Sequence, residues 1–351
     1  MTAELQWYLV LCVLAFFYCF MGKRPALVWL SYGITGYYMW VVRSSGFDYD
    51  MQTYAAFLHF IPDLSSPVYY LREFVYWGGS GYIFSLIQDE VTTFWVIDMI
   101  WMSMLFYAIG NSRQSSHIPL YVVPFMMVFF PVLMGYENVY RQLIACALVL
   151  YAFFGVRNIF LSGIIGVLAL FTHNAAIVYM PLLYLFAVSS NMTAPRIGPF
   201  HKGVFMMLYM VMLGGVYYSS LGDSQLAKSS SSTGESLTYA YLLVFMAMTV
   251  VALILDNFNL TRFFKGNISL VYSMLTYIAF IPVLGGAQAE RIGMMLLILT
   301  VPIFAANMDR SFSTQNEKML TRMLFVMLGI APTFLFYSAF NFLLTEARMV
   351  S

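Results

Sequence analysis

Runs of apolar residues long enough to cross a bilayer recur along this chain, and charge is confined mostly to the gaps between them. That pattern excludes an ordinary water-soluble fold. Charged residues make up 9% of the sequence and hydrophobic residues 61%, whereas a soluble domain carries about 25% charged residues. With a mean hydropathy of +0.78, the bilayer must be the main solvent. The expected fold is therefore all-α, a polytopic integral membrane protein with about 12 transmembrane helices. The spans are expected near 5–22, 26–43, 92–110, 118–135, 138–155, 158–172, 174–189, 203–220, 238–255, 267–284, 290–306 and 321–343. No composition shift marks a boundary, so 1–351 is expected to form a single transmembrane domain. The longer segment 44–91 is expected outside the membrane, as an aromatic-rich loop with an interfacial helix near 68–77.

Lys and Arg give the orientation, because cytoplasmic loops carry the excess of positive residues. One set of alternate loops holds Lys23, Arg24, Arg113, Arg157, Arg196, Lys202, Arg262, Lys265, Arg310, Lys318 and Arg322, which is 11 of the 17. The other set holds Arg43, Arg72, Arg141, Lys228, Arg291 and Arg348. The first set is expected inside, which puts both termini outside. Glu4 precedes the first apolar run, and Lys23 and Arg24 follow it. That is the reverse of a signal peptide and fits a retained first helix. Cys12, Cys19 and Cys146 lie in apolar stretches without metal or disulfide spacing and read as small buried residues.

Ionisable groups near membrane depth are costly and are functional by default. Here they gather at the outer ends of different spans. Arg141 lies one turn into the fifth span, with Glu137 four residues before it and Gln142 beside it. Glu290 and Arg291 begin the eleventh span. An Arg at a helix start gains nothing from the helix dipole. Combined with unbonded N–H groups, its planar fork suits a phosphate. The bland alternative is a structural ion pair, Arg141 with Glu137. His173 and Asn174 sit at the turn between spans six and seven. A His there suits proton transfer near neutral pH, or simply caps a helix. Asp48-Tyr49-Asp50 is a D-x-D sequence, followed by Tyr54 and by Arg72-Glu73. Such carboxylates can hold Mg²⁺ or Mn²⁺ or can merely be solvated, and no metal is expected. Tyr76 and Trp77 read first as an aromatic belt, second as a surface for sugar rings. Asp98 is the one charge deep in a span, and no partner for it is visible. There is no nucleotide-binding pattern, and neither a cofactor nor nucleic acid is expected.

Taken together, several short stretches resemble the EpsG/Wzy type of bacterial polysaccharide polymerase. They are Asp48-Tyr49-Asp50 with Tyr54, Arg72-Glu73-Phe74, Tyr140-Arg141-Gln142, Phe171-Thr172-His173-Asn174 and Glu290-Arg291-Ile292. In that family the external Glu is usually followed by Pro, where this chain has Phe74. The resemblance implies a glycosyltransferase of the bacterial inner membrane, with its site facing the exterior. It would move a glycan chain from undecaprenyl diphosphate onto a lipid-linked repeat unit. It also implies that Arg141 and Arg291 hold the diphosphate and that His173, Glu73 or Asp50 takes the acceptor proton. Tyr49 and Tyr54 would orient sugars. Expected partners are undecaprenyl-diphosphate-linked oligosaccharides and membrane lipids; binding of a chain-length regulator protein is left open. An O-antigen-type ligase, a GT-C glycosyltransferase using lipid phosphate sugars, and a glycan flippase are the rival readings.

Overall fold

A computed structural model describes residues 1–48, 50–59, 73–113, 115–189, 237–284 and 286–344. Among them are fifteen α-helices. Five helical stretches are long and apolar enough to cross a membrane: Glu90–Asn111, Thr238–Leu255, Leu260–Pro282, Gln288–Ser311 and Gln315–Leu335. The protein is thus an all-α, multi-pass membrane protein. The expected span at 203–220 lies outside the described residues. Elsewhere, several apolar runs that the sequence suggested as full spans are shorter helices.

The chain divides into two compact units, Met1–Asn174 with Phe312–Ser351, and Ala175–Ser311. Both junctions fall in polar gaps between apolar runs like those found all along the chain, which is why the sequence shows no boundary there. In the first unit, α1 (Ala3–Tyr18) starts on Thr2, whose hydroxyl accepts the Leu5 N–H at 3.1 Å. The same hydroxyl donates to the carbonyl of Leu343. This bond ties the N-terminus to the end of α15 (Tyr337–Leu344). Then come α2 (Pro25–Ser44), opened by a proline at its first position, and α3 (Asp50–His59). Next are α4 (Phe74–Ile87) and α5 (Glu90–Phe106). The described residues of segment 44–91 are therefore largely helical rather than a loop. The interfacial helix expected near 68–77 falls partly outside the described residues, and the helix there begins at Phe74. Asp89 caps α5 by accepting the Thr92 N–H at 2.7 Å. Hydrogen bonds from the Thr92 side chain, and then from its backbone N–H, hold the Asp89 carboxyl below the usual range.

The expected span at 118–135 is two short helices, α6 (Val122–Val128) and α7 (Phe130–Asn138), separated by extended Phe129. Pro131 is the cause: it has no N–H to donate and its ring crowds the carbonyl four residues back. A second break, at Val139 (φ −139°, ψ 42°), starts α8 (Tyr140–Leu150). Helices α5 and α8 both end in a π-turn, Tyr107–Asn111 and Tyr151–Gly155. Ser112 donates to the Phe154 carbonyl and joins these ends. Nearby, Lys23 Nζ donates to the carbonyls of Ile109 and Ser115 at 2.9 and 2.6 Å. Arg322, in α14 (Gln315–Leu335), donates to Cys19 O at 3.0 Å. One end of the first unit thus collects residues the sequence assigned to the cytoplasmic loops. From there α9 (Ile159–Thr172) runs about 21 Å to His173. All three cysteines are buried and unpaired to one another, as expected.

Among the described residues the second unit holds α10 (Ala176–Ser189), α11 (Thr238–Leu255), α12 (Leu260–Leu284) and α13 (Gly286–Ser311). The runs 158–172 and 174–189, close neighbours in sequence, therefore belong to different units.

Candidate functional site

The site forms where the starts of α4 and α8 meet the end of α9. Arg141 lies in the first turn of α8 because the break at Val139 ends the previous helix just before it. Glu73 caps α4 with its backbone in the left-handed region (φ 59°, ψ 29°). There its carbonyl accepts the N–H groups of Tyr76 and Trp77, both at 3.1 Å. A residue with a Cβ is disfavoured in that conformation by roughly 1–2 kcal/mol, and strain of this kind concentrates at functional sites. His173 follows the last residue of α9, and its N–H bonds Ala169 O at 3.0 Å.

These three side chains converge. Arg141 Nη1 pairs with Glu73 Oε2. The other carboxylate oxygen, Oε1, lies 3.2 Å from His173 Nε2. Glu73 therefore bridges a guanidinium and an imidazole. Arg141 Nε donates to the Tyr54 hydroxyl at 3.3 Å. The guanidinium also lies over the rings of Tyr54 (5.0 Å), Trp77 (5.2 Å) and Tyr76 (6.0 Å). Gln142 reaches the same imidazole nitrogen, Nε2 to Nε2 at 3.4 Å. The side chains of Arg141, Glu73 and His173 are 23%, 13% and 18% exposed. They are sheltered yet reachable. Two buried acceptors in this wall, the Tyr76 hydroxyl and Gln142 Oε1, have no hydrogen-bond partner among the described residues. Each is a place where a substrate hydroxyl could bond, since a buried polar atom without a partner is costly.

The structure joins Glu73, Arg141, His173, Gln142 and Tyr54 from four separate stretches of sequence. The carboxylate on Arg141 is Glu73, so the ion pair with Glu137 expected from the i, i+4 spacing is not its main bond. Glu137 is buried in α7. Tyr76 is 4% exposed and packs edge-on to Tyr54 and Tyr140, so it is part of the site wall and not of a belt. Asp48 accepts the Met51 N–H through its carbonyl at 2.9 Å, and Asp50 opens α3, one turn before Tyr54. Asn174 is exposed beside His173. Tyr49 and Arg72 lie outside the described residues.

In the second unit, Glu290 accepts from Thr238 N and Thr238 Oγ1, both at 3.2 Å, and ties α13 to the start of α11. Helix α13 begins at Gly286, so Gly286 to Gln288 are helical rather than a flexible lead-in, and Arg291 sits past the first turn. The unbonded N–H groups of a helix belong to its first turn. The helix-start case for an anion is therefore weaker at Arg291 than at Arg141. The two arginines belong to different units, and each is described within its own.

Asp98 has partners that its sequence neighbourhood does not show. It is fully buried and fully engaged. Arg43 donates to it twice, Nε to Oδ2 at 2.8 Å and Nη2 to Oδ1 at 3.2 Å. Tyr136 and Tyr140 donate hydroxyls at 2.8 and 2.6 Å, and Trp101 Nε1 donates at 3.1 Å. The Arg43 guanidinium stacks over Tyr136 at 3.9 Å. Tyr136 and Tyr140 lie on either side of the break at Val139, so no single helix face aligns them. No local pattern in the sequence signals the pairing of Arg43 with Asp98, which are 55 residues apart. No protein-family model, no curated protein and no solved structure matches this chain.

Proposed function

We propose that this protein is a lipid-diphosphate-linked polysaccharide polymerase, with its site facing the exterior of the bacterial inner membrane. The observation that carries the reading is the half-open cluster of Arg141, Glu73 and His173 under an aromatic wall. It lies at the opposite end of the first unit from Lys23 and Arg322. By the positive-inside rule that end faces outward. A lipid-linked diphosphate would meet it at headgroup depth.

The chemistry is then a glycosyl transfer. The acceptor hydroxyl oxygen bonds the anomeric carbon of the donor chain as the bond from that carbon to the diphosphate oxygen breaks. The pair of electrons leaves with the diphosphate. Arg141 exchanges part of its bond to Glu73 for the diphosphate oxygens and stabilises the charge that develops on them. The acceptor proton passes to the His173–Glu73 pair, which shares one hydrogen-bonded axis. Tyr54 and Trp77 offer ring faces to the sugars.

The test is Arg141→Ala, with membrane insertion confirmed and the glycan ladder of the producing cells read on a gel. Polymerisation is expected to fall by about 10²–10³-fold, with single lipid-linked units persisting on the outer face. An unchanged ladder would remove Arg141 from the site. Single units held on the inner face would mean an exporter.

A further inference from the structure

At one end of the second unit, α11, α12 and α13 enclose a cavity of about 290 Å³. It exists because α12 is not straight. Asn267 leaves the helical region (φ −120°, ψ 22°), and the helix kinks there. Side chains hold the kink open. Asn307 Nδ2, from α13, donates to Gly266 O at 2.7 Å. Asn267 Nδ2 donates to Asp256 Oδ2 at 3.1 Å. Among the described residues, Asp256 is the only carboxylate lining the cavity. Its other oxygen, Oδ1, accepts from Arg262 Nε at 3.0 Å.

The remaining cations are uncompensated. Lys265 and Arg310 line the same cavity, and no carboxylate pairs with either among the described residues. Against three cations stands one acid, for a local excess of two positive charges. The floor is apolar, with Leu255 and Phe304 among its lining. Scattered loop lysines would satisfy the positive-inside rule without enclosing any volume. Here the cations ring a cavity with a hydrophobic base, which matches an amphiphile with an anionic head.

We infer that this cavity binds a phosphate-bearing anion, and that its occupant is the headgroup of an anionic phospholipid. The phosphate sits between Lys265 and Arg310, and the start of the acyl chains lies on the apolar floor. Basic pockets between membrane helices on the cytoplasmic side bind such headgroups, and Arg262, Lys265 and Arg310 are on the side that the loop charges assign to the cytoplasm. The site is distinct from the Arg141 cluster, and its failure would leave the proposed transferase reading untouched.

The test uses the full chain, delipidated in detergent and titrated with phosphatidylglycerol, phosphatidylcholine or inorganic phosphate while intact complexes are weighed by native mass spectrometry. The double variant Lys265→Gln, Arg310→Gln is expected to lose one phosphatidylglycerol, with affinity at least about tenfold weaker, since each such cation contributes about 1 kcal/mol. The double variant Arg113→Gln, Arg157→Gln, which removes exposed charges elsewhere, is expected to keep it, as is Lys265→Arg. Saturable binding of inorganic phosphate, lost in the same double variant, with no preference between the lipids, would keep the anion site but reject the lipid as occupant. Equal phosphatidylglycerol binding by the wild type and the Lys265/Arg310 double variant, or equal loss in the control, would overturn the inference.

Discussion

The first unit contains two arginine–carboxylate pairs built to opposite specifications. In the Arg43–Asp98 pair the side chains are 2% and 0% exposed, and the carboxylate accepts five hydrogen bonds. In the Arg141–Glu73 pair the side chains are 23% and 13% exposed, Glu73 carries a strained backbone, and His173 shares the carboxylate. A buried pair with every lone pair satisfied cannot change partners without leaving an uncompensated charge in low dielectric. A half-open pair can, because an incoming anion replaces what it displaces. The first is suited to holding helices in place, the second to chemistry. Tyr140 connects them: its hydroxyl bonds Asp98 and its ring packs on Tyr76, one residue before Arg141.

The largest effect on folding should come from cutting the closed pair. Asp98→Ala leaves Arg43 buried without its carboxylate and is expected to cost about 3–5 kcal/mol. The check is thermal unfolding of the detergent-solubilised protein, along with its yield. The double change Arg43→Met, Asp98→Leu should recover most of that loss, because it removes both charges at once. If Asp98→Ala is no less stable than Arg141→Ala, the distinction between the two pairs disappears.

Tyr140→Phe sharpens the same contrast. It removes one of five hydrogen bonds to Asp98 and should lower stability by about 1.5–3 kcal/mol, as for a bond to a charged group. Glu73→Gly should do the reverse in the open pair. Glycine accepts φ 59° without strain, so unfolding should move up by an amount on the order of 1 kcal/mol while glycan polymerisation fails. Loss of stability as large as that of Asp98→Ala would make Glu73 a structural strut.

A last prediction concerns a half-buried cation with no carboxylate beside it among the described residues. Burial pushes the Lys23 ammonium down to about 8. The unfolded chain binds its proton up to about 10.4, so between these values the unfolded state carries more protons. Stability should therefore rise with pH from about 8 to about 10.4 and be flat below that window, as far as this group is concerned. Lys23→Met should abolish the slope, and unfolding midpoints across the window would show it. Arg43, whose burial comes with a carboxylate, should give no slope there.

Much of the site was legible in residue types. Glu73, Arg141 and His173 could be picked out because charge or imidazole at membrane depth is expensive and so seldom incidental. Their mutual contact was not legible, since 68 and 31 residues separate the partners in the two links to Glu73 and Gln142, and the local spacing pointed Arg141 at Glu137 instead. Asp98 shows the same limit in reverse. As an isolated acid in an apolar run it looked unpartnered, because its counter-ion is on another helix.

Helix breaks follow the same division. Pro131 and its consequence can be read from sequence chemistry. The break at Val139, which puts Arg141 at a helix start, has no comparable local cause and belongs to packing. The all-α, membrane-embedded character, by contrast, was settled by composition and apolar run length alone. Those are sums over local transfer energies, and they require no knowledge of which helix touches which. Which arginine is sealed and which stays open to a substrate was decided only by the tertiary structure. Burial and pairing depend on neighbours from distant segments, and no local pattern encodes those neighbours.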